Sequence, residues 1–170
     1  DGSVVTWGGA AYGGDSSGVA ADLQNVEEVS ATAFAFAALK QDGSVIAWGD
    51  ANSGAAPPAD LGPVEQLFAN QYAFAALGTD GTVTAWGHAD FGGDAPDDLV
   101  EVADIVASDR AFAARMTDGS VRCWGAADAG GSGPGDLVAV EQLFATKRAF
   151  AALMADGSVR TWGHSFFGGA

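Results

Sequence analysis

The sequence predicts an all-β chain: a β-propeller of short tandem repeats, with about four three-stranded antiparallel blades and a partial one. Three observations lead there. An octapeptide of the form Asp-Gly-Ser/Thr-Val-x-x-Trp-Gly occurs at 1–8, 42–49, 80–87, 118–125 and 156–163, and its copies hold all five tryptophans, Trp7, Trp48, Trp86, Trp124 and Trp162. The tryptophans are spaced 41 residues apart once and then 38 three times, a period typical of blades and arrays. Each unit also contains three short β-like runs bounded by turn signals. A motif repeated five times in one chain is architecture, because a catalytic constellation occurs once.

Units 42–79, 80–117 and 118–155 align without gaps. Residues 1–41 form a longer unit whose excess falls in DSSGVAADL, and 156–170 begins another. The whole of 1–170 is read as one repeat domain, cut at both ends from something longer. The first run is VEEVSA (26–31), VEQLFA (64–69), VADIVA (102–107) and VEQLFA (140–145). The second is AFAFAAL (33–39), YAFAAL (72–77), RAFAAR (110–115) and RAFAAL (148–153). Alanine favours helix, but the second run is short, lies between turn signals and repeats its Phe in one column: Phe36, Phe74, Phe112 and Phe150. The third run is SVVTW (3–7) and its four copies. Asp-Gly before it provides a tight turn with positive φ, so runs two and three are antiparallel neighbours. A short polar turn folds run one onto run two.

Along the second run, Phe74 and Ala76 share one face, while Ala73, Ala75 and Leu77 share the other. Both faces are apolar, so both need covering. A three-stranded unit cannot do this alone and must stack on its neighbours. Radial stacking of antiparallel sheets gives a propeller; a linear β-solenoid has shorter turns and lacks the Asp-Gly hairpins. With five copies of run three and four pairs of runs one and two, one strand is spare. The expectation is an open arc, or a fragment of a larger ring, with exposed edges open to edge-to-edge self-association.

Lys and Arg number 7 against 22 Asp and Glu, a net charge of −15. That surface repels phosphate backbones and anionic lipid heads, which argues against nucleic acid and membrane and leaves a protein as partner. Cys123, the single cysteine, occupies a column that elsewhere holds Thr or Ala and reads as a small buried residue. The chain shows no signal-like start, no N-glycosylation sequon and no cysteine pair, which favours a cytoplasmic or nuclear location.

Nothing in the sequence assembles chemistry. His88 and His164 occupy equivalent positions two units apart, with no Cys or third His to converge on a metal. DAGGSGPGD (128–136) lacks the Gly-Lys-Ser/Thr ending of a phosphate loop. The spacing of HADFGGDAPDD (88–98) fits no calcium loop. The serines mainly serve Asp-Gly-Ser turns. The segment is therefore read as non-catalytic and without a cofactor.

Recognition is expected where equivalent columns differ. The turn between runs one and two reads Thr32-Ala33-Phe34, Asn70-Gln71-Tyr72, Ser108-Asp109-Arg110 and Thr146-Lys147-Arg148. The start of the connector after Trp-Gly varies too. Strand direction places both segments on one face, opposite the uniform Asp-Gly turns. The candidate partner-binding residues are Tyr12, Asp50, Asn52, Tyr72, His88, Phe91, Asp109, Arg110, Lys147, Arg148, His164 and Phe166. Tyr, Phe and Arg dominate interface energies.

The order Ala-Phe-Ala-Ala-Leu, Asp-Gly-Ser-Val, Trp-Gly and a Gly-rich loop (GGAAYGGD, 8–15) resembles the Regulator of Chromosome Condensation repeat over essentially the whole chain. That resemblance implies a propeller, seven-bladed in most members, that binds proteins. The short period is closer to the β-lactamase-inhibitor propeller of the superfamily, with its three-stranded blades. The wording of the first unit also resembles repeat arrays of HECT-type ubiquitin ligases. The resemblance thus implies an interaction scaffold, with a ligase accessory region or a secreted inhibitor-like propeller as alternatives. The chain departs from the family where Ala-Phe-Ala replaces the usual His-Ser or His-Thr, and where Arg115 takes the column of Leu39, Leu77 and Leu153. No exchange-factor wedge or basic chromatin-binding tail is present to carry those activities over.

Overall fold

The structure is a computed structural model that describes residues 2–169; Asp1 of the first octapeptide lies outside them. It contains four three-stranded antiparallel sheets. Blade 1 is β1 (Val26–Ala31), β2 (Ala35–Lys40) and β3 (Val45–Gly49). Blade 2 is β4 (Val64–Ala69), β5 (Ala73–Gly78) and β6 (Val83–Gly87). Blade 3 is β7 (Val102–Ala107), β8 (Ala111–Met116) and β9 (Val121–Gly125). Blade 4 is β10 (Val140–Ala145), β11 (Ala149–Met154) and β12 (Val159–Gly163). The Ala-rich runs are strands, and the first strands of successive blades pack side by side along the inside of an arc.

Each blade combines runs one and two of one sequence unit with run three of the next. The copy at 156–163 therefore completes blade 4. The copy at 3–7 forms no strand, because no second run precedes it within these residues to pair with; Val5 and Trp7 are 78% and 84% exposed.

The hairpin between second and third strands divides its work between two residues. Only the glycine takes positive φ, at 80° in Gly43. The aspartate stays outside that region and its side chain caps the turn: Asp42 Oδ1 accepts from the Ser44 N–H (3.0 Å) and hydroxyl (2.6 Å). Asp80 with Thr82 and Asp156 with Ser158 repeat the pair of bonds. These bonds to Ser44, Thr82, Ser120 and Ser158 hold the carboxyls of Asp42, Asp80, Asp118 and Asp156 below the usual range. Every first strand carries a bulge after its first residue: Val64 faces Gly78, but Gln66 faces Leu77.

The core lies between blades. Ala35, Ala37, Leu39 and Ala47 of blade 1 pack on Leu67, Phe74, Ala76 and Trp86 of blade 2. Ala73, Ala75 and Leu77 of blade 2 meet Ile105, Phe112 and Trp124 of blade 3. Ala111, Ala113 and Val121 of blade 3 meet Leu143, Phe150 and Trp162 of blade 4. The small face lets the sheets approach while the Phe–Trp pair fills the gap. Phe and Trp are cross-strand partners with stacked rings, at 5.4 Å and 26° for Phe74–Trp86. Such a pair adds about 0.5–1.5 kcal/mol beyond its buried area.

Each tryptophan of the four blades also ties the connector entering its blade. Its Nε1–H donates to a glycine carbonyl: Trp48 to Gly13, Trp86 to Gly54, Trp124 to Gly92 and Trp162 to Gly130, at 2.8–3.1 Å. That glycine is obligatory. Gly54 has φ 106°, and a Cβ there would lie 2.5 Å from Phe74 Cδ2. The octapeptide tryptophan is thus scaffolding in four copies and exposed in the first.

Candidate docking face

The variable segments meet at one edge of the arc. After each Trp-Gly, an extended residue leads into a three-residue 3-10 turn closed by a left-handed glycine: Ala10–Tyr12, Ala51–Ser53, Ala89–Phe91, Ala127–Ala129 and Ser165–Phe167. Beside it lies the turn between first and second strands, whose three columns have different jobs.

The first column is structural. Thr32 Oγ1, Asn70 Nδ2, Ser108 Oγ and Thr146 Oγ1 donate to the carbonyls of Ser53, Phe91, Ala129 and Phe167, at 2.6–3.1 Å. Asn70 and Ser108 are buried polar residues satisfied in this way. The second column links blades through the backbone: Ala33 N–H to Gln71 O, Gln71 N–H to Asp109 O and Asp109 N–H to Lys147 O, at 2.8–3.0 Å. These residues border an open axial cavity of about 510 Å³. The Lys147 side chain is exposed there and that of Asp109 half-buried.

The third column, Phe34, Tyr72, Arg110 and Arg148, joins Tyr12, Phe91, Asp128 and Phe167 of the 3-10 turns in a continuous ladder. Ring centroids run Tyr12–Phe34 at 5.4 Å, Phe34–Tyr72 at 5.9 Å and Tyr72–Phe91 at 4.8 Å. The guanidinium of Arg110 lies over Phe91, 5.4 Å from its centroid. Asp128 then accepts from Arg110 at 2.6 Å and Arg148 at 3.4 Å, and Arg148 lies over Phe167 at 5.9 Å. Phe167 contacts Phe166 and His164.

The other expected residues take several roles. His88 rests on Phe91, with centroids 4.5 Å apart, and its Nδ1 is buried without a hydrogen-bond partner. His164 Nδ1 accepts from Phe166 N–H and caps its 3-10 turn. Asp50 turns inward to accept from the Ser53 hydroxyl at 2.7 Å. Asn52 is exposed, as are Tyr12 and Phe166, at 60% and 87%. Phe34, Asp128 and Phe167 were not among the expected residues. Column equivalence with Tyr72 and with Tyr12 and Phe91 marks the two phenylalanines in the sequence; Asp128 is marked only as part of the variable connector start 126–129, and its partners, which lie on two blades, are not.

Chemically the face offers stacking, charge and hydrogen bonding. Burial pushes the half-buried Cys123 thiol up to about 11, so it is protonated at neutral pH. Among the described residues no group of three or more His, Cys, Asp or Glu is placed to hold a metal ion. No helix among them is long and apolar enough to cross a membrane.

No family model and no curated sequence matches the chain. Solved structures do match in fold. Prp20p of Saccharomyces cerevisiae is 20% identical over 81% of this chain and 43% of its own, with a TM-score of 0.61. The ectodomain of the Physcomitrella patens receptor kinase CR4 is 21% identical over 81% and 40%, with 0.62. That of the Arabidopsis thaliana receptor kinase ACR4 is 20% identical over 81% and 49%, with 0.56. The chain spans less than half the length of these proteins. Its repeated three-stranded antiparallel blades have the fold of RCC-like repeat propellers.

Proposed function

We propose that this chain is a non-catalytic protein-interaction scaffold that docks its partner on the connector face. The observation that carries this is the ladder from Tyr12 to Phe167, in which aromatic and arginine side chains from all four blades follow in sequence, with Asp128 bridging Arg110 and Arg148. Large rigid rings give binding energy at low entropic cost, and arginine is enriched with them among the residues that dominate interface energies. Identical blades need no such divergence at one edge alone. The fold neighbours lend support: Prp20p has binding properties towards Gsp1p and histones, and yeast RCC1 (Prp20) has been solved bound to Kap60. The chain's own charge of −15 favours a partner with basic surface.

The test compares affinity capture by the wild-type chain, by a Tyr12→Ala/Lys147→Ala/Phe166→Ala variant of exposed docking-face residues, and by a Ser44→Ala/Ser158→Ala control on the opposite face. The docking variant is expected to lose partners that the control keeps, with an unchanged Tm. Equal capture by both variants would refute the assignment.

A further inference from the structure

One column of carboxylates runs through the connectors: Asp22, Asp60, Asp98 and Asp136, each followed by a leucine. In blades 3 and 4 it is paired. Arg122 Nε lies 3.6 Å from Asp98 Oδ2, and Arg160 donates to Asp136 Oδ2 at 3.0 Å. Both arginines stand at the same register of the third strand, Arg122 opposite Ala114 and Arg160 opposite Ala152. Blade 1 puts Ile46 in this column and packs it on Leu23, Ala38 and Trp48. Blade 2 keeps the register, with Thr84 opposite Ala76, but has neither arginine nor a large apolar residue. Among the described residues no cation pairs with Asp60.

Other columns of blade 2 are cut back around the same place. Gly78 stands where the other blades have Lys40, Met116 and Met154, and Gly62 where they have Gln24, Val100 and Val138. Gly78 is outside the positive-φ region that its neighbour Gly81 needs for the turn, so it serves space rather than backbone conformation. A Cβ on Gly78 would lie 2.8 Å from Asp80 Oδ1. The result is a pocket of about 370 Å³ on the hairpin face, with Asp60, Gly78, Asp80, Thr82 and Thr84 in its wall and no cationic side chain. Asp80 uses Oδ1 for the Thr82 N–H (3.0 Å) and hydroxyl (2.7 Å), which leaves Oδ2 for another donor. Blade 2 is packed on both sides, by blades 1 and 3, so the pocket belongs to the interior of the array.

We propose that this pocket takes an arginine side chain from a partner protein, whose guanidinium sits on Asp60 as Arg122 and Arg160 sit on Asp98 and Asp136. The chain thus shows the ligand twice, supplied by itself, and leaves the third place open. A guanidinium presents five donors in a planar fork, which suits two carboxylates and the threonine hydroxyls between them. A lysine ammonium is a compact, strongly hydrated point charge without that shape. The net charge of −15 draws basic segments toward the surface, and the pocket selects among them. The site lies on the face opposite the aromatic and arginine ladder and does not depend on it.

Titration of the ¹⁵N-labelled full chain with the peptide acetyl-Gly-Gly-Arg-Gly-Gly-amide, followed by amide chemical shifts at low salt, tests this. Saturable shifts are expected at Gly78, Thr82 and Thr84. The lysine and citrulline versions of the peptide should shift them far less. Asp60→Asn, at an exposed position, should weaken binding about fivefold or more. Thr84→Arg supplies from within the group that blades 3 and 4 carry, and should abolish binding without lowering Tm. The Tyr12→Ala/Lys147→Ala/Phe166→Ala variant should bind the peptide as wild type does, which separates this site from the docking face. Equal shifts with the lysine peptide would overturn the proposal, since general attraction to an acidic surface would then explain them. So would shifts absent from Gly78 and Thr84, or an affinity unchanged in both Asp60→Asn and Thr84→Arg.

Discussion

Truncating one phenylalanine column blade by blade measures how the molecule is held together. In Phe74→Ala the lost ring is fully enclosed between blades and stacked 5.4 Å from Trp86. An enclosed Phe→Ala change costs about 3–5 kcal/mol, transfer and cavity terms together. At about 2–4 °C per kcal/mol for a domain of this size, Tm should fall by about 6–20 °C. Phe112→Ala and Phe150→Ala should match it. Phe36 has the same stacking partner geometry, 5.4 Å from Trp48, but is half-buried beside an exposed Val29. Water can enter its site, so no cavity persists, and about half of the burial energy is at stake: about 1–2 kcal/mol. Urea denaturation at low protein concentration, followed by far-UV circular dichroism, gives both numbers with blades unfolding as a coupled array. If Phe36→Ala cost as much as Phe74→Ala, or Phe74→Ala cost under about 1 kcal/mol, stabilisation by inter-blade burial would be wrong.

Trp86→Phe removes the donor to the Gly54 carbonyl, and is expected to cost about 1–3 kcal/mol by the same denaturation assay; Trp7→Phe, at an exposed ring, should be silent. Arg115→Leu should stabilise by about 1 kcal/mol, because Arg115 is half-buried with its Nε buried and unpartnered, in a column where Leu39 and Leu77 are buried; a lowered denaturation midpoint would contradict this. The turn aspartates set a pH dependence. Their folded pKa values are lowered, first by the side-chain hydroxyls of Ser44, Thr82 and Ser158, so their contribution is present above the unfolded value of about 3.9 and is lost as pH falls through the lowered values. Asp42→Asn/Asp80→Asn/Asp156→Asn keeps an acceptor oxygen without titrating, and its Tm should fall less than wild type between pH 5 and pH 3 in paired thermal melts.

Strands and blades were legible because their signals are local. Asp-Gly marks the hairpin, alternation marks the faces, and the Phe column marks the bulky face of the second strand, which packs on the alanine face of the preceding blade. The docking columns were legible only as a block: Thr32, Asn70, Ser108 and Thr146 differ as Phe34, Tyr72, Arg110 and Arg148 do, yet the former cap the next connector and the latter form the ladder. A short polar side chain at a turn carries the same sequence signature whether it points at solvent or at a carbonyl 21 residues away.

The sequence by itself determined the repeat, the three-stranded blade and the two-faced second strand, since these follow from periodicity and from contacts between adjacent units. Only the tertiary structure decided that residues 3–7 form no strand, and that Asp128 holds Arg110 and Arg148 together. A repeat encodes contacts between adjacent units; a contact that joins side chains of two blades at one point, as Asp128 joins Arg110 and Arg148, leaves no periodic mark in the residues themselves and appears only once the blades are stacked.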